Sequence, residues 1–355
     1  MDGKALADAS SFSGVGTYVR HLVAGLGARP DADVAVLVPG SAAVPPSARR
    51  VPVRRWAPER WKLREHDARL PRDISRIPSD VFHSPGLDPP RRCDRPWVQT
   101  LHDVIPLVFD SPALAGPRAR LERQRPRYRL ADAVIAVSKH SADEGTRVLG
   151  LDAARIHVVH HGVDPSFRPP VDPRDAEPPS VAFVSEFDPR KGHREAFEVI
   201  AQLAERGFPH RLKVAGRISP RTRPALLAAA AAARRPDRID LLDYVTDLPG
   251  LYQRASVTIV TSRHEGFGFP ALEAMACGTP VVAFDNTATA EVVADGGLLV
   301  PDGDVDAFAK AVASVFESDD RWHELSASAH ERARAFDWRV SIERHMEIYR
   351  SVAGG

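Results

Sequence analysis

The chain has 355 residues, which favours two domains over one and allows a large buried core. Its 48 basic and 47 acidic side chains nearly cancel, which excludes the broad positive field of a nucleic-acid binder. Two cysteines without metal-ligand spacing argue against a disulfide framework or a zinc site, and an ordinary 43% of hydrophobic residues suits a globular protein.

Short runs rich in Val and Ile recur along the chain, each followed by turn residues and a helical pattern. In the first half they are "DVAVLV" (33–38), "DVFHS" (80–84), "WVQTLHD" (97–103), "AVIAVS" (133–138) and "IHVVHHG" (156–162). In the second half come "VAFVSEF" (181–187), "RLKVAGR" (211–217), "IDLLDYV" (239–245), "VTIVTS" (257–262), "PVVAFD" (280–285) and "GLLVP" (297–301). Continuous apolar strands alternating with helices imply parallel sheets covered on both faces. Between the halves, "DPSFRPPVDPRDAEPPS" (164–180) carries six prolines and few hydrophobics, and reads as a linker. The expected fold is α/β, with two doubly wound domains joined near residues 165–179 and a cleft between them. No apolar run reaches the roughly 18–20 residues that cross a bilayer, and no secretory signal opens the chain, so a cytoplasmic location is expected.

Ligands of doubly wound sheets bind at the carboxyl ends of strands, so the informative residues should follow the strands. Ahead of the first helical pattern, Gly14 and Gly16 in "SFSGVGTYVRHL" either let backbone N–H groups approach a phosphate or simply make a tight turn. His102 stands at a strand end in "LHDVIP", where an imidazole serves structure as readily as chemistry. Arg190 and Lys191 in "SEFDPRKGH" are adjacent cations between a strand and a helix, or a solvated surface pair. "HEGFGFPALEAMACGTP" (264–280) places Glu265 in a glycine-rich loop and Glu273 in the helix that follows. Helix-start chemistry explains Glu273 without any function, because acidic groups suit the positive end of the helix dipole. It does not explain Glu265. As a pair the two carboxylates could do acid–base work or hold a ligand.

Two further features read as structural. The Asp-x-Asp triplets "DAD" (31–33) and "DGD" (302–304) look like turns. "GPRARLERQRPRYRL" (116–130), with six arginines, suggests a solvated helix whose amphipathic face Pro126 interrupts, rather than a membrane-docking helix.

Taken together, "EGFGFPALEAMACGTPVV" resembles the Glu-x7-Glu signature of glycosyltransferase family 4, retaining enzymes of the GT-B fold. "SGVGTYVRHL", "DVFHSP", "TLHDVIPL", "AVIAVSKHSADE", "VVHHGVD", "FDPRKGH" and "YVTDLPGLYQRASVTIVTSRHEGFG" fall in that family's order. The resemblance covers nearly the whole chain. It implies an N-terminal Rossmann-like domain on the acceptor side (1–165), a nucleotide-sugar-binding domain (179–337) and a C-terminal helix (338–355) returning to the first domain. It also implies that Glu273 holds the ribose, that Glu265 lies beside the donor sugar, and that Gly266, Phe267 and Gly268 offer backbone amides to sugar or phosphate. Arg190 and Lys191 map to the diphosphate cations, and Gly14 and Gly16 face the same diphosphate across the cleft. His102 matches the active-site histidine, and Val245 lies where the backbone meets the base. One departure stands out: many relatives carry Gly-Arg where this chain has Ser185–Glu186.

The implied reaction is metal-independent transfer of a hexose or deoxyhexose, with GDP-mannose favoured as donor, to a hydroxyl of a glycan, lipid-linked or small-molecule acceptor. No cofactor is expected beyond the nucleotide-sugar substrate, and no nucleic-acid partner. Peripheral contact with the inner face of a membrane stays open. The alternatives are another GT-B enzyme, such as a nucleotide-sugar epimerase or a phosphorylase, and a non-enzymatic two-domain sugar-binding protein. Relatives carry a complete apolar strand before the segment equivalent to "DGKAL". Here Met1 alone stands in its place, so the expectation is either a start upstream or a short, weakly paired first strand.

Overall fold

Strands buried on both faces pair in parallel and need helices above and below them. The computed structural model follows this rule. It describes residues 1–7, 13–40, 42–53, 62–170 and 179–354, so most of the proline-rich stretch, 171–178, lies outside the described residues. The chain divides into two units, Met1–Gly162 with Asp337–Gly355, and Val163–Phe336. Both crossings between units therefore fall at short segments outside that proline-rich stretch.

In the first unit, β1 (Ala35–Pro39) pairs in parallel with β2 (Arg49–Val53), and β3 (Phe82–Ser84), β4 (Trp97–Leu101), β5 (Ala133–Ala136) and β6 (Ile156–Val158) form a parallel sheet in that order. The sequence reading missed β2. Its "RRVPV" is largely exposed, buried only at Val53, and holds two arginines and a proline, as an edge strand tolerates. The first residues connect the two sheets. Leu37 N–H donates to the Met1 carbonyl at 2.9 Å, Gly3 N–H to the Leu37 carbonyl at 2.9 Å, and Asp2 N–H to the His83 carbonyl at 3.1 Å. Three residues thus pair with β1 on one side and β3 on the other.

The arginine-rich segment forms the helix Ala115–Tyr128, and Pro126 lies inside it rather than interrupting it. The helix ends two residues later, so the proline distorts one turn at most, and buried Leu121, Gln124 and Tyr128 anchor its inner face. Nor are its arginines simply solvated. Arg118 donates to the Pro106 and Phe109 carbonyls at 2.8 and 2.9 Å. Arg120 Nε reaches Asp88 at 2.9 Å, and Arg127 reaches Asp67 at 3.0 Å.

The C-terminal helix Trp338–Ala353 packs Ile342 and Met346 against Tyr18, Val19, Leu22, Val23 and Leu26 of the helix Gly14–Gly27. Beneath that contact runs a buried polar chain whose direction follows once burial keeps His83 and His345 neutral. The Ser341 carbonyl can only accept, so His345 Nδ1 carries the proton in their 2.7 Å bond. His345 Nε2 must then accept from Tyr18 Oη at 2.9 Å, and Tyr18 accepts from Thr100 Oγ1 at 2.9 Å. Thr100 accepts from His83 Nε2 at 2.8 Å, which leaves His83 Nδ1 to accept from Tyr349 Oη at 2.6 Å. Each neutral histidine thus uses one nitrogen as a donor and the other as an acceptor.

In the second unit, β7 (Ser180–Val184), β8 (Arg211–Ala215), β9 (Ile239–Asp243), β10 (Val257–Val260), β11 (Val281–Asp285) and β12 (Leu298–Pro301) form one parallel sheet. Their order is β12-β11-β10-β7-β8-β9. Phe183, Phe197, Ile200, Phe284 and Phe308 fill the space between this sheet and its helices. No described helix is long and apolar enough to cross a membrane.

Burial lowers the pKa of His345 to about 4, against the carbonyl of Ser341, which pulls the other way. Burial, followed by the nearby His345, places His83 well below its ordinary value. Both groups titrate lower in the folded chain than in the unfolded one. The stability they contribute is complete above pH 6.5 and is lost as pH falls below it, toward 4 in the case of His345. The melting temperature is expected to fall steadily below pH 6.5. A flat profile between pH 7 and 5 contradicts neutral burial.

Candidate active site

The strand order of the second unit reverses between β7 and β10: chain order runs one way from β7 to β9 and the other way from β10 to β12. At such a switch point, the loops leaving two neighbouring strands diverge and open a crevice beyond the carboxyl ends. "EFDPRKGH" follows β7 and "RHEGFGFP" follows β10, so topology brings Arg190 and Lys191 against Glu265 from 74 to 75 positions away.

The turn after β7 is tightly built. Asp188 accepts from the Arg190 N–H at 3.0 Å and opens a single helical turn, Pro189–Lys191. Gly192 then takes a left-handed conformation, φ 71°, where a Cβ would stand 2.0 Å from the Thr261 carbonyl oxygen. Only glycine fits there. Thr261 Oγ1 donates to the Gly192 carbonyl at 2.8 Å, and Arg263 N–H to the Arg190 carbonyl at 2.7 Å, stitching the turn to the end of β10.

Lys191 Nζ donates to Glu265 Oε1 at 2.6 Å. Arg190 Nη1 reaches Oε2 at 3.3 Å and the His264 carbonyl at 3.1 Å. Burial pushes the Glu265 carboxyl up, but Lys191 and then Arg190 outweigh it and hold the group at about 2. Glu265 is therefore ionised at neutral pH although its side chain is only 11% exposed. The two cations are not equivalent. Arg190 is also shared with Asp188 at 3.5 Å and with Glu186 at 3.8 Å, whereas Lys191 is directed at Glu265. The chain's departure at Ser185–Glu186 thus puts a carboxylate beside Arg190.

Beyond Glu265 the chain passes half-buried Gly266 and buried Phe267, whose ring meets Phe269 and Phe336 edge-on at 5.3 and 5.9 Å. Gly268, at φ 111°, starts the helix Phe269–Ala276. The positive end of that helix lies next to Glu265 in the chain and favours an anion. Glu273 is one turn further on. Tyr252 Oη donates to its Oε2 at 3.1 Å, and Tyr252 is fully buried on the helix Leu248–Gln253. Half-buried Val245 lies between β9 and that helix, so one segment carries Val245 and the partner of Glu273. Burial raises the Glu273 carboxyl to about 8; the Tyr252 hydroxyl opposes this and Asp164 adds to it. The two glutamates therefore hold opposite charge states at pH 7, one anionic and one neutral.

The remaining sequence candidates lie in the first unit. Gly14 opens the helix Gly14–Gly27, and Gly16 is buried in its first turn. Tyr18, from the same helix, meets the His102 ring edge-on at 5.2 Å. His102 Nε2 donates to the Pro85 carbonyl at 2.8 Å, which makes Nδ1 the acceptor nitrogen. Burial lowers its pKa, although the Pro85 carbonyl and Asp103 pull upward, so the ring is neutral. The Asp-x-Asp residues have structural partners: Asp304 caps a helix through the Ala307 N–H, Asp302 pairs with Arg263 at 3.1 Å, and Asp31 with Arg29 at 2.8 Å.

Sequence reasoning missed the residues that hold Glu265 and Glu273 in place, among them Thr261, Tyr252, Asn286 and Thr287. "FDNT", which runs off the end of β11, obeys the same strand-end rule and could have drawn attention to the last two. The others are core residues without a motif of their own.

Family models match both units: glycosyltransferase family 4 over residues 12–167, and glycosyl transferases group 1 over residues 168–336. D-inositol 3-phosphate glycosyltransferase of Kribbella flavida is 32% identical over 302 residues, covering 77% of this chain and 71% of that protein. Sucrose-phosphate synthase from Thermosynechococcus elongatus superposes with a TM-score of 0.80 at 22% identity, over 95% of this chain and 92% of that one. Alr3699/HepE from Anabaena, solved in complex with UDP and glucose, gives 0.74 at 19% identity, over 95% and 96%. With both units matched and a relative this similar over more than two thirds of each chain, the protein belongs to glycosyltransferase family 4 and has the GT-B fold.

Proposed function

We propose that this glycosyltransferase moves a hexose or deoxyhexose from a nucleoside-diphosphate donor to an acceptor hydroxyl, with retained anomeric configuration and without a metal. The observation that carries this reading is the ionised Glu265 carboxylate facing Lys191 and Arg190 beside a helix start. In this reading Lys191, assisted by Arg190 and the helix dipole, stabilises the departing diphosphate, while Glu265 stabilises the positive charge that develops at the anomeric carbon. Glu273 receives the ribose hydroxyls, Gly266, Phe267 and Gly268 offer backbone amides, and Val245 meets the base. In the first unit, neutral His102 accepts from a sugar hydroxyl, and the helix start at Gly14 and Gly16 receives the diphosphate.

GDP-mannose is the first donor to test, and UDP-glucose the second, since the ligands named for Alr3699/HepE are UDP and glucose. Purified protein is expected to release nucleoside diphosphate from at least one of a panel of GDP-, UDP- and dTDP-sugars, at a rate unchanged by a chelator. NMR of the product should show the donor's anomeric configuration. No release from any donor, or an inverted product, contradicts the proposal.

Glu265→Gln should lower turnover by about 10²-fold or more without weakening the nucleoside diphosphate, because the substituted group acts on the transition state. Loss of turnover and of nucleotide affinity in equal measure removes that role from Glu265.

Glu273 is expected to make donor affinity depend on pH. Ribose hydroxyls donate to an ionised carboxylate, so affinity should rise about fivefold from pH 7 to pH 8 and about tenfold by pH 9, levelling off above that. Tyr252→Phe removes a hydroxyl that favours ionisation and should move that rise to higher pH. A calorimetric titration showing the same affinity at pH 7 and 9 contradicts the assignment.

A further inference from the structure

Among the described residues, Thr287 is the β-branched one with a positive backbone angle, φ 46°. Left-handed backbone crowds a β-branched side chain, and such a conformation persists where its surroundings impose it. At Thr287 the surroundings are specific. Its Oγ1 accepts from the main-chain N–H of Glu265 at 3.1 Å and donates to Asn286 Oδ1 at 3.2 Å. Asn286 Nδ2 then donates to the Ser262 carbonyl at 3.1 Å and to Asp302 at 2.8 Å. Two consecutive residues following β11 therefore grip the loop after β10 at both ends, at Ser262 and at Glu265. A relaxed conformation of Thr287 would carry its hydroxyl away from the Glu265 N–H.

We propose that Thr287 is a positioning residue, whose strained backbone holds its hydroxyl against the Glu265 N–H and so fixes the Glu265 carboxylate between Lys191 and Arg190. This rests on the reading of Glu265 given above and extends it to a residue that touches no substrate. Strain and position are linked here: relieving one should cost the other.

The test compares Thr287→Gly and Thr287→Ser in the full-length protein, with turnover of an accepted donor and melting temperature as joint readouts. Glycine relieves the strain and removes the hydroxyl. Its melting temperature is expected to stay unchanged or to rise by up to about 4 °C, the relief being partly offset by greater freedom in the unfolded chain. Its turnover is expected to fall about tenfold, with little change in donor KM. Serine keeps the hydroxyl and should recover turnover to within about threefold of wild type. A glycine variant with wild-type turnover overturns the proposal. So does one that loses stability and turnover together, which marks Thr287 as a purely structural residue, and so does a serine variant as impaired as glycine. A wild-type protein that turns over no donor overturns the reading of Glu265, and the role of Thr287 with it.

Discussion

A carboxylate largely removed from water stays ionised only if opposite charge stands against it, and at Glu265 that charge comes from Lys191 and Arg190. The rest of the second unit can be traced from this contact. It requires β7 beside β10, so that the loops leaving them meet. It requires glycine at position 192, where any side chain would collide with the Thr261 carbonyl. It requires the loop after β10 to be held from a third strand, through Asn286 and Thr287. Loops leaving three strands thus converge on one residue.

The contrast with Glu273 shows how environment rather than residue type sets the charge. The two glutamates are eight positions apart, Glu265 buried and Glu273 half-buried, yet one faces two cations and the other a tyrosine hydroxyl. The first is held near pH 2 and the second near pH 8. Pairs of carboxylates whose environments separate their charge states have separate tasks. A charged Glu265 suits a centre that becomes positive. A neutral Glu273 can both donate and accept until a ligand favours its ionised form.

Much of this was legible in the amino-acid order, for physical reasons that differ by element. Runs such as "VAFV" and "VTIV" announce strands buried on both faces, and glycine or cations directly after them mark the strand ends where ligands sit. β2 was not legible, because a proline and two arginines in five residues look nothing like a buried strand. Pro126 misled for the opposite reason: a rule about helix interiors was applied two residues from a helix end. The positive φ of Thr287 was invisible, since a threonine in that conformation has no sequence signature, although its place at a strand end was not. The buried chain from Tyr349 through His83, Thr100 and Tyr18 to His345 was equally hidden, as bonded members lie up to 327 positions apart. That chain ties the C-terminal helix to the rest of the first unit, whose His102 lies against Tyr18.

The contact between Lys191 and Glu265 is open to direct measurement by a double-mutant cycle on folding stability, which presumes nothing about the donor. Lys191→Ala, Glu265→Gln and the double variant are unfolded in denaturant, and their free energies are compared with wild type. A coupling of at least about 1 kcal/mol is expected, because each substitution strands the charge or the acceptor that its partner leaves behind. Additive effects, with coupling near zero, would mean that the two side chains do not hold each other, and would contradict the ionised clasp on which the site depends.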